Sequence, residues 1–523
     1  MSELISSRYL GTKFLPTDSS FVVASVEVGN TTTKCILSAT DLKTGKAELI
    51  GKHICLTRNV RRPNSEEPVF GETIAGVQLT KQSLAELVSQ TVSDALLKTG
   101  LTVEDVHFAV RSTGVTQSKP EPYDSSTVQK SGNDSGFQDM ESIVQALAEG
   151  CLMAGFVPRK MTGYLNLEKM PAQFRSYSLL DRVYFDGAVA GALLPKSFAD
   201  NIVSNEMEGE LAAAGLKEAA KHTNIDFRNP CLAIDMGTTL SGRIIGNEKP
   251  YAKTHGNFCG YAGAVSDYLV KNIDPEKQSA FELFGRSKIG QSEIGQSEMS
   301  ANQKQTNSSE SSLSLSSFSS LSSFSSLSSV LPFLSSSSAR KIRSAHHEVS
   351  SLVHVFEIPK TRSRIGPFAV NSKAAEKSGF VLIGCDVGEN GSGLLELCDI
   401  GRSVYETGGI SAVSDLMDAV MSDIVVDLIR CVMDSGLFLD GACIGITGRA
   451  GTTGKKPDLI LKKMSRHIKN PEGRILFAED GLARGAAVMA RCMNSLGCPK
   501  NPLGGNHGGG CILGERMMYQ RGK

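Results

Sequence analysis

The chain has 523 residues, more than one compact core usually holds, so we expect two or more domains. Lys plus Arg number 55 and Asp plus Glu number 55, a balance that argues against a dedicated nucleic-acid-binding protein. The N-terminal residues lack the pattern of a signal peptide, and no apolar run is long enough to span a bilayer. We therefore expect a cytoplasmic protein with no membrane or nucleic-acid partner.

Strand-like and helix-like patterns alternate along the chain. Residues 22–28 and 34–38 alternate as two strands joined by a tight turn, and the apolar spacing of residues 82–100 and 140–156 predicts helices. Further strand-turn-strand patterns occupy residues 231–246 and 380–397, and residues 415–436 and 479–493 read as helices. Such alternation predicts an α/β fold with sheets covered on both faces.

Serine dominates residues 291–338, where a short SSLSSF unit repeats. This composition cannot bury enough apolar surface to offset the entropy of ordering the chain. We therefore predict a disordered insertion over residues 291–340.

Two of the predicted turns share one order of residues. In VEVGNTTTKCIL and AIDMGTTLSGRII an apolar strand leads to an acid, an apolar residue, a glycine and a hydroxyl-rich turn. Glycine lets a backbone approach a ligand closely, and backbone N–H groups and threonine hydroxyls bind phosphate oxygens. The acids, Glu27 and Asp235, stand where carboxylates hold a hydrated Mg²⁺. This internal repeat predicts two related half-domains that grip a triphosphate from both sides.

A third segment, CIGITGRAGT, is a strand followed by a glycine loop. The small residues of this loop would let a base or ribose lie against the backbone. The helix-like ARGAAVMA segment, residues 483–490, follows downstream, and its small residues favour close helix packing.

These motifs resemble the superfamily of actin, Hsp70 chaperones and sugar kinases. The first turn is most similar to those of 2-hydroxyacyl-CoA dehydratase activators and diol dehydratase reactivases, and the chain as a whole resembles the methanogenesis marker protein 14 family of archaeal methanogens. The resemblance implies two actin-like (ribonuclease H-like) half-domains with a nucleotide cleft between them. We expect half-domain I at residues 1–195, half-domain II at 196–290 and 341–493, and a flexible glycine-rich tail at 494–523. Residues 184–195 and 483–490 would be the interdomain helices.

The resemblance also implies ATP and Mg²⁺ as cofactors, with Mg²⁺ held through water by Glu27 and Asp235. The general base is not identified. The residues expected to bind nucleotide are Glu27, Gly29, Asn30, Thr31, Thr32, Lys34, Asp235, Gly237, Thr238, Thr239, Gly448, Arg449, Ala450 and Gly451.

Two departures from the superfamily pattern bear on catalysis. Glu27 replaces the usual aspartate, and threonines replace glycines in the second turn. Two outcomes are therefore left as alternatives: slow hydrolysis of the nucleotide, and nucleotide binding without hydrolysis. The sequence CDVGENGSG offers Asp386 as a competing acid for the second turn, although the threonine-rich turn after Asp235 matches the first repeat better.

The resemblance implies an ATP-dependent activation or assembly factor for a protein partner, a methanogenesis or corrinoid enzyme. The alternatives are a non-hydrolysing nucleotide-binding scaffold, a small-molecule kinase and an iron–sulfur activator in which Cys259 is shared across a dimer. A buried thiol is the simpler interpretation of Cys259. The tail cysteines Cys492, Cys498 and Cys511, with His507, fit no compact metal site.

Overall fold

The computed structural model of the chain describes residues 4–5, 14–73, 75–111, 135–156, 183–184, 206–248, 253–274, 277, 279–284, 336–366 and 368–494. Its strands are β1 (Leu4–Ile5), β2 (Ser20–Val28), β3 (Thr32–Asp41), β4 (Ala47–Leu56), β5 (Val69–Glu72), β6 (Gln78–Thr80), β7 (Phe108–Arg111), β8 (Val183–Tyr184), β9 (Cys231–Met236), β10 (Thr239–Ile245), β11 (Thr254–Tyr261), β12 (Val353–Glu357), β13 (Arg364–Ile365), β14 (Phe368–Ala369), β15 (Val381–Val387), β16 (Cys443–Thr447) and β17 (Ile475–Ala478).

The α-helices alternate with these strands. They are α1 (Lys81–Thr99), α2 (Ser135–Met153), α3 (Glu206–Ala220), α4 (Gly263–Val270), α5 (Ala280–Phe284), α6 (Ser336–Leu352), α7 (Ser372–Ser378), α8 (Leu394–Asp434), α9 (Arg449–Thr452), α10 (Lys456–Met464) and α11 (Gly481–Asn494). None of the helices in the described part of the chain is long and apolar enough to cross a membrane.

Two sheets carry the fold, and they repeat one topology. The five-stranded sheet has the order β4-β3-β2-β7-β8, and the eight-stranded sheet contains the equivalent run β11-β10-β9-β16-β17. In each run the first three strands are antiparallel and the last two join the central strand in parallel. This repeat confirms the predicted α/β fold of two actin-like half-domains.

Each half-domain has its own apolar core. Strand β2 is buried along nearly its whole length because helices α1 and α2 pack on one face of its sheet and α11 on the other, which explains why its sequence is so rich in valine. Helix α1 begins at the capping box of Thr80 and Ser83 and ends at Gly100, whose φ of 73° suits a residue without Cβ. Local capping thus determines the bounds of a helix that packing then buries.

Helices α3 and α11 join the halves. Helix α11 contacts strands of the first sheet, and Ala483 packs with Ile36 and Leu49 there, while α3 covers the second sheet. The two helices cross closely: a Cβ at Gly485 would lie 2.0 Å from the carbonyl oxygen of Leu211. The predicted interdomain helix 483–490 is therefore part of α11, whereas the segment predicted at 184–195 lies outside the described residues except for Tyr184, which ends β8.

Several predicted boundaries differ from those in the structure. Leu4–Ile5 pairs with β17, so this N-terminal strand belongs to the second sheet, although the sequence predicts residues 1–195 as half-domain I. Helix α6 begins at residue 336, inside the range assigned to the insertion; residues 291–335 and the tail from residue 495 lie outside the described part. The pattern at 380–397 is a strand followed by helix α8, not two strands.

Candidate functional site

The first predicted phosphate turn joins β2 to β3. The amide of Gly29 donates to the carbonyl of Thr32 over 2.9 Å, which closes the turn. Thr57 supports it from behind, since its hydroxyl donates to the carbonyl of Gly29 over 2.7 Å and lies 3.0 Å from the hydroxyl of Thr33. Asn30 is buried in the turn. Together these contacts leave Thr31 as the residue that faces the other half-domain.

The second turn, residues 237–238, joins β9 to β10 at the equivalent place in the second sheet. Helix α4 begins directly against it: the amide of Gly263 donates to the carbonyl of Gly237 over 2.6 Å, and the amide of Ala264 donates to that of Thr238 over 3.1 Å. Thr239 starts β10 and is buried. The turn and the first residues of α4 are therefore one rigid unit.

The tips of the two turns touch. The hydroxyl of Thr31 lies 3.2 Å from that of Thr238 and donates to Oδ2 of Asp267 over 3.1 Å. Two hydroxyls at hydrogen-bond distance leave no space for a phosphate group between them. The expected grip on a triphosphate therefore requires the two turns to separate.

Charged residues of both half-domains gather below these tips. Lys34 pairs with Glu27 over 3.0 Å, and they are directly opposite each other on β3 and β2. From the first half Lys52 reaches Asp480 over 3.2 Å, just before helix α11. Asp235 is the penultimate residue of β9 and lies close enough to Lys34 and Glu27 to interact with both charges. Glu27, Lys34 and Asp235, which the sequence analysis assigned to one nucleotide site, are therefore brought together.

Burial dominates the electrostatics of this cluster. It raises the pKa of Asp235 to about 7, with the charge of Glu27 adding to the rise and Lys34 opposing it. Burial lowers the pKa of Lys34, but the charges of Glu27, Asp480 and Asp235 outweigh it and the pKa is raised. Lys34 is thus protonated at neutral pH and lies close to three acidic side chains.

The third predicted element, the loop after β16, packs on the second turn. Gly448 has a φ of 83°, and a Cβ there would lie 2.4 Å from the carbonyl oxygen of Met236, so only glycine fits. The side chain of Ala450 lies 3.2 Å from the position a Cβ would take at Gly263. Gly451 is buried in α9, and the guanidinium of Arg449 lies 4.6 Å from the ring centre of Phe281. The structure therefore joins all three predicted motifs at one cleft.

The competing acid, Asp386, lies elsewhere. It is in β15, which is separated from β9 by two strands, and its carboxylate accepts from the amides of Asn390 and Gly391 at 3.0 Å each. Arg362 pairs with it over 2.7 Å. Asp386 therefore organises the turn before α8, and strand order makes Asp235 the equivalent of Glu27.

Cys259 does not suit a shared iron–sulfur cluster. It is completely buried in β11 among apolar side chains that include Ile358, Ile365 and Leu382. A sulfur in this core cannot reach a second subunit. Cys498, Cys511 and His507 lie outside the described residues, and so does the side chain of Cys492. The described ranges contain no group of three or more His, Cys, Asp or Glu side chains placed to hold a metal ion.

Sequence reasoning missed Lys52, Thr57, Asp267 and Asp480. None of them is part of a repeated motif, and each reaches the cleft from a different element. Their residue types, two acids, a lysine and a threonine, gave no local signal that would have singled them out. Their role follows from contacts between positions far apart in sequence.

The residue types at the cleft fit a magnesium nucleotide. Carboxylates of Glu27 and Asp235 are ligands that hydrated Mg²⁺ accepts, and the hydroxyls of Thr31 and Thr238 with Lys34 are donors for phosphate oxygens. The close approach of Gly448 to the backbone of Met236 places the third predicted motif directly beside the strand that carries Asp235. The residue types therefore suit a magnesium nucleotide, but the two turns are in contact and must separate before a phosphate can enter.

Two sheets of repeated topology, with hairpin turns facing each other across a cleft, define an α/β protein of the actin-like class. Comparisons of the whole chain with solved structures find component A of (R)-2-hydroxyglutaryl-CoA dehydratase from Acidaminococcus fermentans at 10% identity and a TM-score of 0.31, covering 90% of this chain and 95% of that one. They also find a hexokinase at 11% identity and a TM-score of 0.32, covering 93% and 87%. A reductive activator for a corrinoid, iron-sulfur protein matches at 9% identity and a TM-score of 0.34, covering 90% of this chain and 60% of that one.

Comparison of the sequence with protein families and with other proteins identifies the family within that class. The chain belongs to the family described as "Uncharacterized protein conserved in archaea (DUF2114)", which matches residues 20–520. A relative from Methanocaldococcus jannaschii is 41% identical over 503 residues, which are 96% of this chain and 91% of the relative. Another from Methanothermobacter thermautotrophicus is 40% identical over 510 residues, 97% of this chain and 84% of the relative.

Proposed function

We propose that this protein binds ATP with Mg²⁺ in the cleft between its half-domains and uses the resulting movement to activate or assemble a partner enzyme. The observation that carries the proposal is the meeting of two topologically equivalent turns, where Glu27, Lys34 and Asp235 converge. Hairpins of this kind present backbone amides, hydroxyls and a cation to one small volume, which suits a polyphosphate.

Each residue has a definite task in this proposal. Lys34 and the hydroxyls of Thr31 and Thr238 bind phosphate oxygens, and Glu27 and Asp235 hold the waters around Mg²⁺. The metal supplies positive charge that offsets the phosphate charge. The loop Gly448–Gly451 lies against the base and ribose.

Movement follows from the contact between the turns. Because Thr31 touches Thr238 and Asp267, a phosphate enters only when the first turn moves away from the second. Each turn is rigid within its own half, since Thr57 supports one and helix α4 the other. Nucleotide binding is thus coupled to the relative position of the half-domains, which a partner can sense.

The partner proposed is an enzyme of methanogenesis or a corrinoid protein. Its support is the resemblance of the chain to the methanogenesis marker protein 14 family, together with relatives from Methanocaldococcus and Methanothermobacter. Recovery of one enzyme with the tagged protein from anaerobic extract of the native cell, present with ATP and lost with a Lys34→Met variant, is the expected result. Equal recovery with both proteins would contradict nucleotide control.

Nucleotide binding is tested by titrating the purified protein with ATP and Mg²⁺ in a calorimeter. We expect Lys34→Met and Asp235→Asn to weaken binding about tenfold or more, since each removes a charged contact of the kind worth about 1.5–3 kcal/mol. Asp386→Asn is the matched control because its carboxylate serves a different turn, and it should bind like the original protein. Equal affinity of all three variants, or no binding by the original protein at millimolar ATP, would refute the proposal.

A second candidate is a scaffold on the same fold that binds nucleotide without hydrolysing it. The ion pair of Glu27 with Lys34 favours it, because a carboxylate held by a lysine is less available to organise Mg²⁺. Release of inorganic phosphate separates the two candidates: binding without release supports the scaffold.

A further inference from the structure

Helix α4 holds a carboxylate against the first turn. The helix starts on the second turn through the amides of Gly263 and Ala264. Asp267 follows one helical turn later, is only 6% exposed, and points its Oδ2 at the hydroxyl of Thr31. The position of Asp267 is thus determined by the second turn, through helix α4, while its side chain accepts a hydrogen bond from the first turn.

The hydrogen-bond partners of Asp267 differ from those of the other cleft acids. Its two donors are uncharged: the hydroxyl of Thr31 at 3.1 Å and the amide of Ala280 at 2.9 Å. Glu27, by contrast, pairs with Lys34, and Asp480 with Lys52. A lysine partner stabilises the ionised form of a carboxylate and makes it a poor proton acceptor.

Asp235 is also less suited to accept a proton from an attacking water. It interacts with the charges of Lys34 and Glu27, and with Glu27 it has the task proposed for the metal waters. Burial raises the pKa of Asp267 to about 6; its two hydrogen bonds oppose that rise, and the charge of Glu282 adds to it. A pKa close to neutral suits a proton acceptor, and Asp235 also has one, so the contacts of the two acids distinguish them rather than their pKa values.

We propose that Asp267 is the proton acceptor that orients the water attacking the terminal phosphate of a bound nucleoside triphosphate. The proposal rests on the function proposed above. Once the turns separate, the hydroxyl of Thr31 leaves Oδ2, and a water molecule replaces it as the donor. The water oxygen bonds to the terminal phosphorus while the bond from that phosphorus to the bridging oxygen breaks. The electron pair leaves with the diphosphate, and the water proton passes to Asp267 and then to solvent.

The test compares Asp267→Asn with the original protein. The amide keeps the size of the side chain and can still accept one hydrogen bond, but it does not accept a proton. We expect phosphate release to fall about 100-fold or more. Affinity for ADP should stay within about twofold, because in this proposal Asp267 faces the terminal phosphate, which ADP lacks.

A binding measurement supplies a readout that does not depend on turnover. Asp267→Asn removes a negative charge that faces the terminal phosphate, so affinity for the β,γ-imido analogue of ATP, relative to ADP, should rise about fivefold. Asp274→Asn, a partly exposed acid just beyond the same helix, is the control and should leave rate and affinity ratio unchanged. If Asp267→Asn does not fold, Asp267→Glu serves instead; it keeps a base and should retain more activity than a variant that lacks one, Asp267→Ala.

The outcomes separate this proposal from the one on which it rests. Binding of ATP without phosphate release by the original protein, an unchanged rate in Asp267→Asn, or an unchanged affinity ratio would each overturn the assignment of Asp267. Failure of the original protein to bind any nucleotide would overturn the proposed function itself.

Discussion

The hydroxyl oxygens of Thr31 and Thr238 lie 3.2 Å apart although 207 positions separate the two residues in the chain. One belongs to the hairpin of the first sheet and the other to the equivalent hairpin of the second. Their contact holds the tips of the two turns together. It also makes the position of one half-domain depend on the other through a few polar atoms.

Removing the Thr31 hydroxyl should loosen this contact. In Thr31→Val we expect amide hydrogen exchange at residues 236–241 to accelerate about fivefold, the equivalent of one hydrogen bond of about 1 kcal/mol. Thr33→Val is the matched control, because Thr33 bonds to Thr57 within its own half-domain. Equal exchange at residues 236–241 in both variants would show that the turns do not hold each other.

The stability of the protein should depend on pH through Asp235. Its pKa is about 7 in the folded protein and 3.8 in the ordinary case, so between these values the folded state binds more protons. The free energy of unfolding contributed by this group is therefore highest at low pH and is lost as pH rises from about 4 to 7. Asp235→Asn removes the loss, because its amide does not ionise. The thermal midpoint of the variant minus that of the original protein should therefore be larger at about pH 8 than at about pH 4, by about 2 °C or more.

The control for that measurement is Asp226→Asn. Asp226 is exposed, and its hydrogen bond with Arg228 lowers its pKa, so it is ionised throughout the same window. Its midpoint difference should hardly change with pH above about 5. A difference for Asp235→Asn that does not vary with pH would mean that this carboxyl titrates normally.

The ion pair of Lys52 with Asp480 should be worth more than a surface pair. The side chains are 14% and 9% exposed, so Lys52→Met removes an ion-pair partner from a nearly buried carboxylate, which keeps its interaction with the charge of Lys34. We expect the free energy of unfolding in urea to fall by about 3 kcal/mol. In Lys46→Met, which breaks an exposed pair with Glu48, the change should stay within about 0.5 kcal/mol; similar losses in both variants would argue against a special role for the cleft pair.

The crossing of helices α3 and α11 should not tolerate a side chain at Gly485. Helix propensity alone predicts that Gly485→Ala stabilises the protein by about 1 kcal/mol. The new Cβ would lie 2.0 Å from the carbonyl oxygen of Leu211, so we expect a loss of about 2 kcal/mol in chemical denaturation instead. The sign of the change decides between the two effects.

The local sequence pattern predicted part of the candidate site. The acid, glycine and hydroxyl-rich turn between alternating apolar segments indicated both hairpins, and the small residues at 483–490 indicated a closely packed helix. Asp235 and Asp386 could not be separated this way, because each ends an apolar run and precedes a glycine. The order of strands in the sheet separates them, since β9 rather than β15 is the equivalent of β2.

Local sequence by itself determined the two hairpins, their acids and the alternation that defines an α/β protein, because turn chemistry and side-chain period act over a few residues. Only the tertiary structure decided that Thr31 meets Asp267, that Lys52 meets Asp480 and that Cys259 is enclosed in a core. Those contacts join residues up to 428 positions apart. They depend on how sheets and helices pack, and no short stretch of sequence carries that information.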